Sequence, residues 1–254
     1  MSKTLKISMV SYLNSKPFLR GLELSGLMDD IELHLEVPAK TTEKLMNNEV
    51  DIALVPTATL PQLTDFHLIT DYCIGANKAV DSVFLFSDTT IERINTIYLD
   101  SHSKTSVNLI QILCRDYWKK QIHFVHNSNV SKEMVLGNTA CLMIGDKALE
   151  LKNSFRYQYD LASAWNQFTG LPFVFAVWVA NARGASFEKV LNYAFGLGTK
   201  KIPELASFFQ AEFPEQDLLT YFTHSIDYKF DKQKAKALDL FLQLCKKNVN
   251  QFAS

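Results

Sequence analysis

The order of strand and helix signals restricts this chain most. From Leu5 the residues LKISMV form a short apolar run, and a helix pattern follows over 18–27. Next come the strictly alternating strand IELHLEVP, a helix pattern in TTEKLMNNEV with Thr41 or Thr42 as its cap, and the apolar strand DIALVP. The same β-α-β-α-β order returns in INTIYLD, SKTSVNLIQILCRDYW, QIHFVH, SNVSKEMVLGN and TACLMIG. Continuous apolar strands alternating with helices predict parallel sheets covered on both faces, one in each of two lobes. SVFLFSDTTIERI and LPFVFAVWVANA read as long extended segments that cross from one lobe to the other and back. Two crossings predict an α/β clamshell with residues 1–88 and 183–254 in one lobe and 89–182 in the other. The amphipathic tail helices, broken at Pro203 and Pro214, are expected to pack on the first lobe.

Charge and composition remove several classes of function. Lys and Arg number 26 against 27 Asp and Glu, so no basic field exists to gather nucleic acid or an anionic membrane. No run approaches the roughly 18 apolar residues of a membrane span. MSKTLKISMV turns directly into a strand pattern without the apolar core of an export signal, so a cytoplasmic location is expected. Cys73, Cys114, Cys141 and Cys245 are scattered, with no CxxC pair and no histidine at ligand spacing, which predicts reduced structural thiols and no metal centre. His34, His67, His123 and His126 likewise lack a triad or metal spacing. GLGTKK lacks the spacing of a phosphate loop.

In open α/β sheets ligands sit beyond the carboxyl ends of the strands, here in the interlobe cleft. The residues at those ends are Ser11 to Asn14, then Pro56, Thr57 and Thr59, then Ser101, Ser103, Thr105 and Ser106, then Gly145 and Asp146. Neutral hydroxyls and amides dominate. SHSKTS offers hydroxyls and free backbone N–H groups where a helix begins, which suits a carboxylate or phosphate; plain N-capping by Ser103 or Thr105 explains the same residues. In SYLNSKP, an Asx-turn or N-cap with Pro17 in the first helical turn explains Asn14, Ser15 and Pro17. Tyr12, Leu13 and Asn14 stand ahead of that cap, where side chains overhang the cleft. Asp146 in IGDKAL is either a base or a helix cap.

With those positions assembled, the sequence resembles the chorismate dehydratase family of the futalosine route to menaquinone. The likeness spans nearly the whole chain and rests on VSYLNSKP, DIALVPTATL, DYCIGANKAVDSVFLFS, LDSHSKTSVNLIQIL, LMIGDKAL and AWNQFTGLPFVFAVWVA. SKTS departs from the arginine-containing form of the family at Lys104. The resemblance implies a periplasmic-binding-protein-like (type II) clamshell with two crossover strands. It also implies cofactor-free loss of water from chorismate, a small dicarboxylate.

On that basis Asn14 and Ser82 are expected nearest the eliminating centre, and Ser103, Thr105 and Ser106 around one carboxylate. The second carboxylate is expected against Thr57 or the Thr169–Gly170 turn, with Tyr12 and Phe173 walling the ring. No amide or hydroxyl is a competent base near neutrality, so the substrate's enolpyruvyl carboxylate is the expected proton acceptor. Two rivals remain: a non-catalytic small-anion-binding protein of the same fold, and the sister dihydroxynaphthoate synthase acting on cyclic dehypoxanthine futalosine. A regulatory sensor domain is disfavoured, because no helix-turn-helix or basic face is present to carry its output.

Overall fold

The computed structural model describes residues 4–100 and 103–251. In chain order the strands are β1 (Leu5–Val10), β2 (Ile31–Glu36), β3 (Ile52–Pro56), β4 (His67–Ala76), β5 (Val83–Ser87), β6 (Thr96–Asp100), β7 (His123–Asn127), β8 (Thr139–Ile144), β9 (Tyr157–Asp160), β10 (Phe173–Ala180) and β11 (Asp227–Lys229). The helices are α1 (Lys16–Leu24), α2 (Pro38–Met46), α3 (Lys104–Ile112), α4 (Gly145–Glu150), α5 (Leu161–Thr169), α6 (Glu188–Thr199), α7 (Ile202–Phe209), α8 (Leu218–Thr220) and α9 (Lys232–Gln251). The chain divides into two units. The first holds the residues up to Gly75 together with Val174–Asp231; the second holds Ala76–Phe173 and the chain from Lys232 onward.

The first unit is a sheet in the order β11-β4-β10-β3-β1-β2. β1 runs parallel to β2 and β3, whereas β10 is antiparallel to β3 and β11 antiparallel to β4. Every residue of β3 (IALVP) is buried, as expected of a strand covered on both faces. Alternate residues of β10 explain the two covers. Val177 and Val179 join Leu45 of α2 in one apolar layer. Trp178 faces the opposite way, stacked on Phe195 of α6 at 4.7 Å and met edge-on by Phe18 of α1 at 5.6 Å. Asp51 ties the strand ends together: its carboxylate accepts from Lys6 N at 2.9 Å and pairs with Arg183 at 3.0 Å.

The second unit is a sheet in the order β7-β6-β8-β5-β9, with β6 parallel to β7 and β8, and β5 antiparallel to β8 and β9. Phe84, Phe86, Val130, Cys141 and Met143 form one apolar layer of this unit. Trp165 of α5, Phe173 and Phe241 of α9 form an aromatic cluster with ring centroids 5.0–6.2 Å apart.

Four expectations are corrected. Both sheets are mixed, because the returning strands β10 and β5 enter antiparallel. SNVSKEMVLGN holds only a 3₁₀ turn at Lys132–Met134; its Gly137 adopts φ +60° and its two valines are drawn into the core, at the wrong spacing for one helical face. α2 starts at Pro38 with no side-chain cap, and Thr41 instead donates to Pro38 O at 2.9 Å. The unit boundary falls at 75/76 and 173/174, so the segment 76–88 belongs with the second unit, as does α9, whose Phe241 completes that core. Among the described residues no helix is long and apolar enough to cross a membrane.

Candidate active site

In the first unit the loop after β1 is held by its own backbone. Ser15 donates its hydroxyl to Val10 O at 2.6 Å and Tyr12 O at 2.7 Å, and so does not cap α1; Pro17 enters the helix in its first turn. Tyr228, buried, its phenol pushed well above its usual pKa by that burial, donates to Asn14 O at 2.9 Å. Local structure therefore accounts for Ser15 and Pro17. It does not account for the Asn14 side chain, whose Oδ1 is buried without a hydrogen-bond partner among the described residues. An unpaired buried amide oxygen carries a cost of about 1–3 kcal/mol, a state shared in this unit by Ser8 Oγ and Trp178 Nε1 among the described residues. Tyr12, half-buried, stands two residues before it.

In the second unit Ser82 precedes β5 and is buried. Its carbonyl accepts from Gly145 N at 2.8 Å, and its hydroxyl donates to Val80 O across a long 3.4 Å. The turn leading to it is anchored by Asp160: one carboxylate oxygen accepts from both Val80 N (2.9 Å) and Asp81 N (2.8 Å), and the other caps α5 through Ser163 N at 2.9 Å. Asp81 itself sits at φ +60° and pairs with Lys152 at 2.9 Å. Burial outweighs these three N–H bonds and pushes the Asp160 carboxyl up to about 6. A carboxyl raised in the folded state contributes stability that is complete below its unfolded pKa near 4 and is lost as pH rises through about 6. Urea unfolding should therefore show this group's contribution falling by on the order of 3 kcal/mol between pH 4 and 7. Asp160→Asn, which cannot ionise, should flatten that part of the profile; an identical slope in both proteins would rule the assignment out.

At the start of α3, Ser103 is the N-cap and accepts from Ser106 N at 3.3 Å, so the capping reading of SHSKTS holds for this residue. Thr105 and Ser106 are buried in the same first turn. Ser101 and His102 lie outside the described residues.

Four expected binding residues have partners within their own unit. Thr57 is fully buried and gives its hydroxyl proton to Val174 O at 2.8 Å, which leaves none for a carboxylate. Thr169 donates to Trp165 O at 2.8 Å and accepts from Leu171 N, and Gly170 at φ +72° closes α5. That turn is a helix C-terminus, whose outward carbonyls repel an anion. Phe173 is 1% exposed, wedged between Trp165 and Phe241 as part of a core. Asp146 lies within the first turn of α4, whose cap position is Ile144.

Asp160 and Tyr228, which fix the two loops, were not anticipated. The sequence signal for Asp160 is its place three residues before Ser163 at the head of an apolar helix; nothing local announces its bonds to Val80 and Asp81. The four cysteines are free thiols, and burial pushes those of Cys114, Cys141 and Cys245 up to about 12. Among the described residues no three His, Cys, Asp or Glu side chains gather where a metal could be held.

Two mixed sheets with this strand order define an α/β protein of the periplasmic-binding-protein fold. The chain resembles a crystal structure from Archaeoglobus fulgidus (TM-score 0.72, 10% identity, covering 97% of this chain and 98% of that one). It also resembles the periplasmic aliphatic sulphonate binding protein SsuA from Escherichia coli (TM-score 0.64, 11% identity, covering 100% and 89%). The chain belongs to the menaquinone biosynthesis family, whose sequence model matches residues 5–247. Among curated relatives, a chorismate dehydratase of Campylobacter jejuni is 27% identical over 93% of this chain and 96% of its own length. A chorismate dehydratase of Thermus thermophilus is 28% identical over 66% of each chain.

Proposed function

We propose that the protein is a cytoplasmic chorismate dehydratase, a hydro-lyase that converts chorismate to 3-[(1-carboxyvinyl)oxy]benzoate for menaquinone synthesis. The match along 93% of the chain to a chorismate dehydratase carries this reading. The Asn14 side chain in the SYLN loop fits it: Oδ1, unpartnered among the described residues, can accept from a substrate hydroxyl, and Nδ2 can donate. In the reaction one ring C–H and one C–O bond break, the ring gains its third double bond, and water leaves.

Asn14 and Ser82 are the groups proposed at the eliminating centre. The Asn14 amide and the Ser82 hydroxyl can hydrogen-bond the departing oxygen, a task neutral donors perform well in a site of low polarity. Thr105, Ser106 and the backbone N–H groups at the start of α3 are proposed to bind one carboxylate, with Ser103 holding that turn. Tyr12 is proposed to lie along the ring. Neither an amide nor a hydroxyl can take the ring proton near neutrality, which assigns that role to the substrate's own enolpyruvyl carboxylate.

Purified protein incubated with chorismate and no added cofactor should produce an aromatic chromophore as chorismate is consumed. Binding of chorismate without product would favour a non-catalytic anion-binding protein. Conversion of cyclic dehypoxanthine futalosine in its place would favour the sister synthase.

A further inference from the structure

The geometry points to Asp160 as a positioning residue for Ser82, an inference that rests on the proposed role of Ser82 at the eliminating centre. Three facts converge within the second unit. Asp160 Oδ2 receives the N–H groups of the two residues immediately before Ser82, at 2.9 and 2.8 Å. Asp81, the second of them, is held at φ +60°, a left-handed conformation uncommon for residues other than glycine and easier for aspartate than for most. On the other side, Gly145 N fixes the Ser82 carbonyl at 2.8 Å. The turn is therefore clamped before and after the serine, and the clamp before it is a half-buried carboxylate.

A helix cap alone does not require aspartate. Capping of α5 uses only Oδ1, through Ser163 N at 2.9 Å, and a serine hydroxyl performs that bond equally well. A neutral cap would also avoid the desolvation that raises this carboxyl. The second oxygen is what serine cannot supply, and that oxygen holds the turn. Asparagine offers one acceptor for two sets of donors, so it can satisfy the cap or the turn but not both.

The test is a cycle of Asp160→Ser, Ser82→Ala and the double variant, each read by kcat and KM on chorismate and by amide hydrogen exchange at Val80 and Asp81. Asp160→Ser should keep the α5 cap, speed exchange at both amides, and lower kcat by about 10²-fold through misplacement of the hydroxyl, with KM little changed. In the Ser82→Ala background the same substitution should lower kcat no further, because the group it positions is gone. Multiplying effects in the double variant, or unchanged kcat in Asp160→Ser, would overturn the inference while leaving the proposed activity standing. A wild-type protein that leaves chorismate intact overturns the proposed activity and the inference together, and is recognised before any variant is made.

Discussion

Asn14→Ala is expected to lower kcat on chorismate by roughly 10²–10³-fold, the range found when one preorganised donor at a charge-developing oxygen is removed. Ser82→Ala should act in the same direction. The loss should fall on kcat more than on KM, because the contact with the departing oxygen strengthens as the C–O bond breaks. Stability should respond in the opposite sense. Asn14 Oδ1 has no partner among the described residues, so its removal relieves an unpaired buried acceptor, and the unfolding midpoint of Asn14→Ala should match or exceed that of the wild type. Lower turnover in an equally stable protein separates a chemical role from a folding one. The proposed use of the substrate's carboxylate as the proton acceptor adds a contrary expectation for the ordinary bases. Asp146→Asn and His102→Ala should both retain turnover, and loss of turnover with chorismate binding intact in either would defeat that step.

Gly198→Ala is expected to have the largest effect on stability. A Cβ at this position would stand 1.8 Å from Pro17 O and 2.6 Å from Gly21 N, both backbone atoms of α1. Across the same contact, a Cβ on Gly21 would meet Ala194 O at 2.2 Å. α1 and α6 thus touch backbone to backbone, and no rotamer change can relieve the clash. Separating the helices would also unpack the Phe18–Trp178–Phe195 stack. The cost should be about 3 kcal/mol or more, at the upper end for overpacking, and visible as a fall in the urea midpoint. Gly196→Ala is the control: its Cβ would meet only the Tyr72 hydroxyl, at 3.1 Å, a side-chain tip that can move. That substitution should be near neutral or stabilise slightly, since alanine favours the helix interior. Equal destabilisation by both substitutions would show that helix propensity, and not the contact with α1, sets the effect.

How far the sequence spoke for itself differs from element to element. β1, β2 and β3 are legible because burial on one or both faces writes itself into alternation or a continuous apolar run. The twofold β-α-β-α-β order was equally plain, up to the segment after β7, where the pattern suggests a helix and the chain makes only a turn. The placement of α9 was not legible. Periodicity shows which side of a helix is apolar, but the residues that would receive Phe241, Trp165 and Phe173, lie some 70 positions away in sequence, and either core could have supplied a partner.

Hydroxyls were harder still. Ser/Thr-rich ends of strands look alike in sequence, whether the proton goes to a ligand or, as in Thr57 and Thr169, to a backbone carbonyl. Asn14 could be picked out through the family resemblance, since an Asx-turn or cap would explain it locally; in the structure its Oδ1 has no partner among the described residues. Asp160 escaped because its decisive bonds join residues 79 and 80 positions apart in the chain.

The return of α9 to the second unit also bears on the order in which the protein can be made. Both units are discontinuous, and Phe241 packs on Trp165 and Phe173, which are translated before the whole returning part of the first unit. The nascent chain must therefore carry an unfinished aromatic core in the second unit while the rest of the first is being made, until α9 follows.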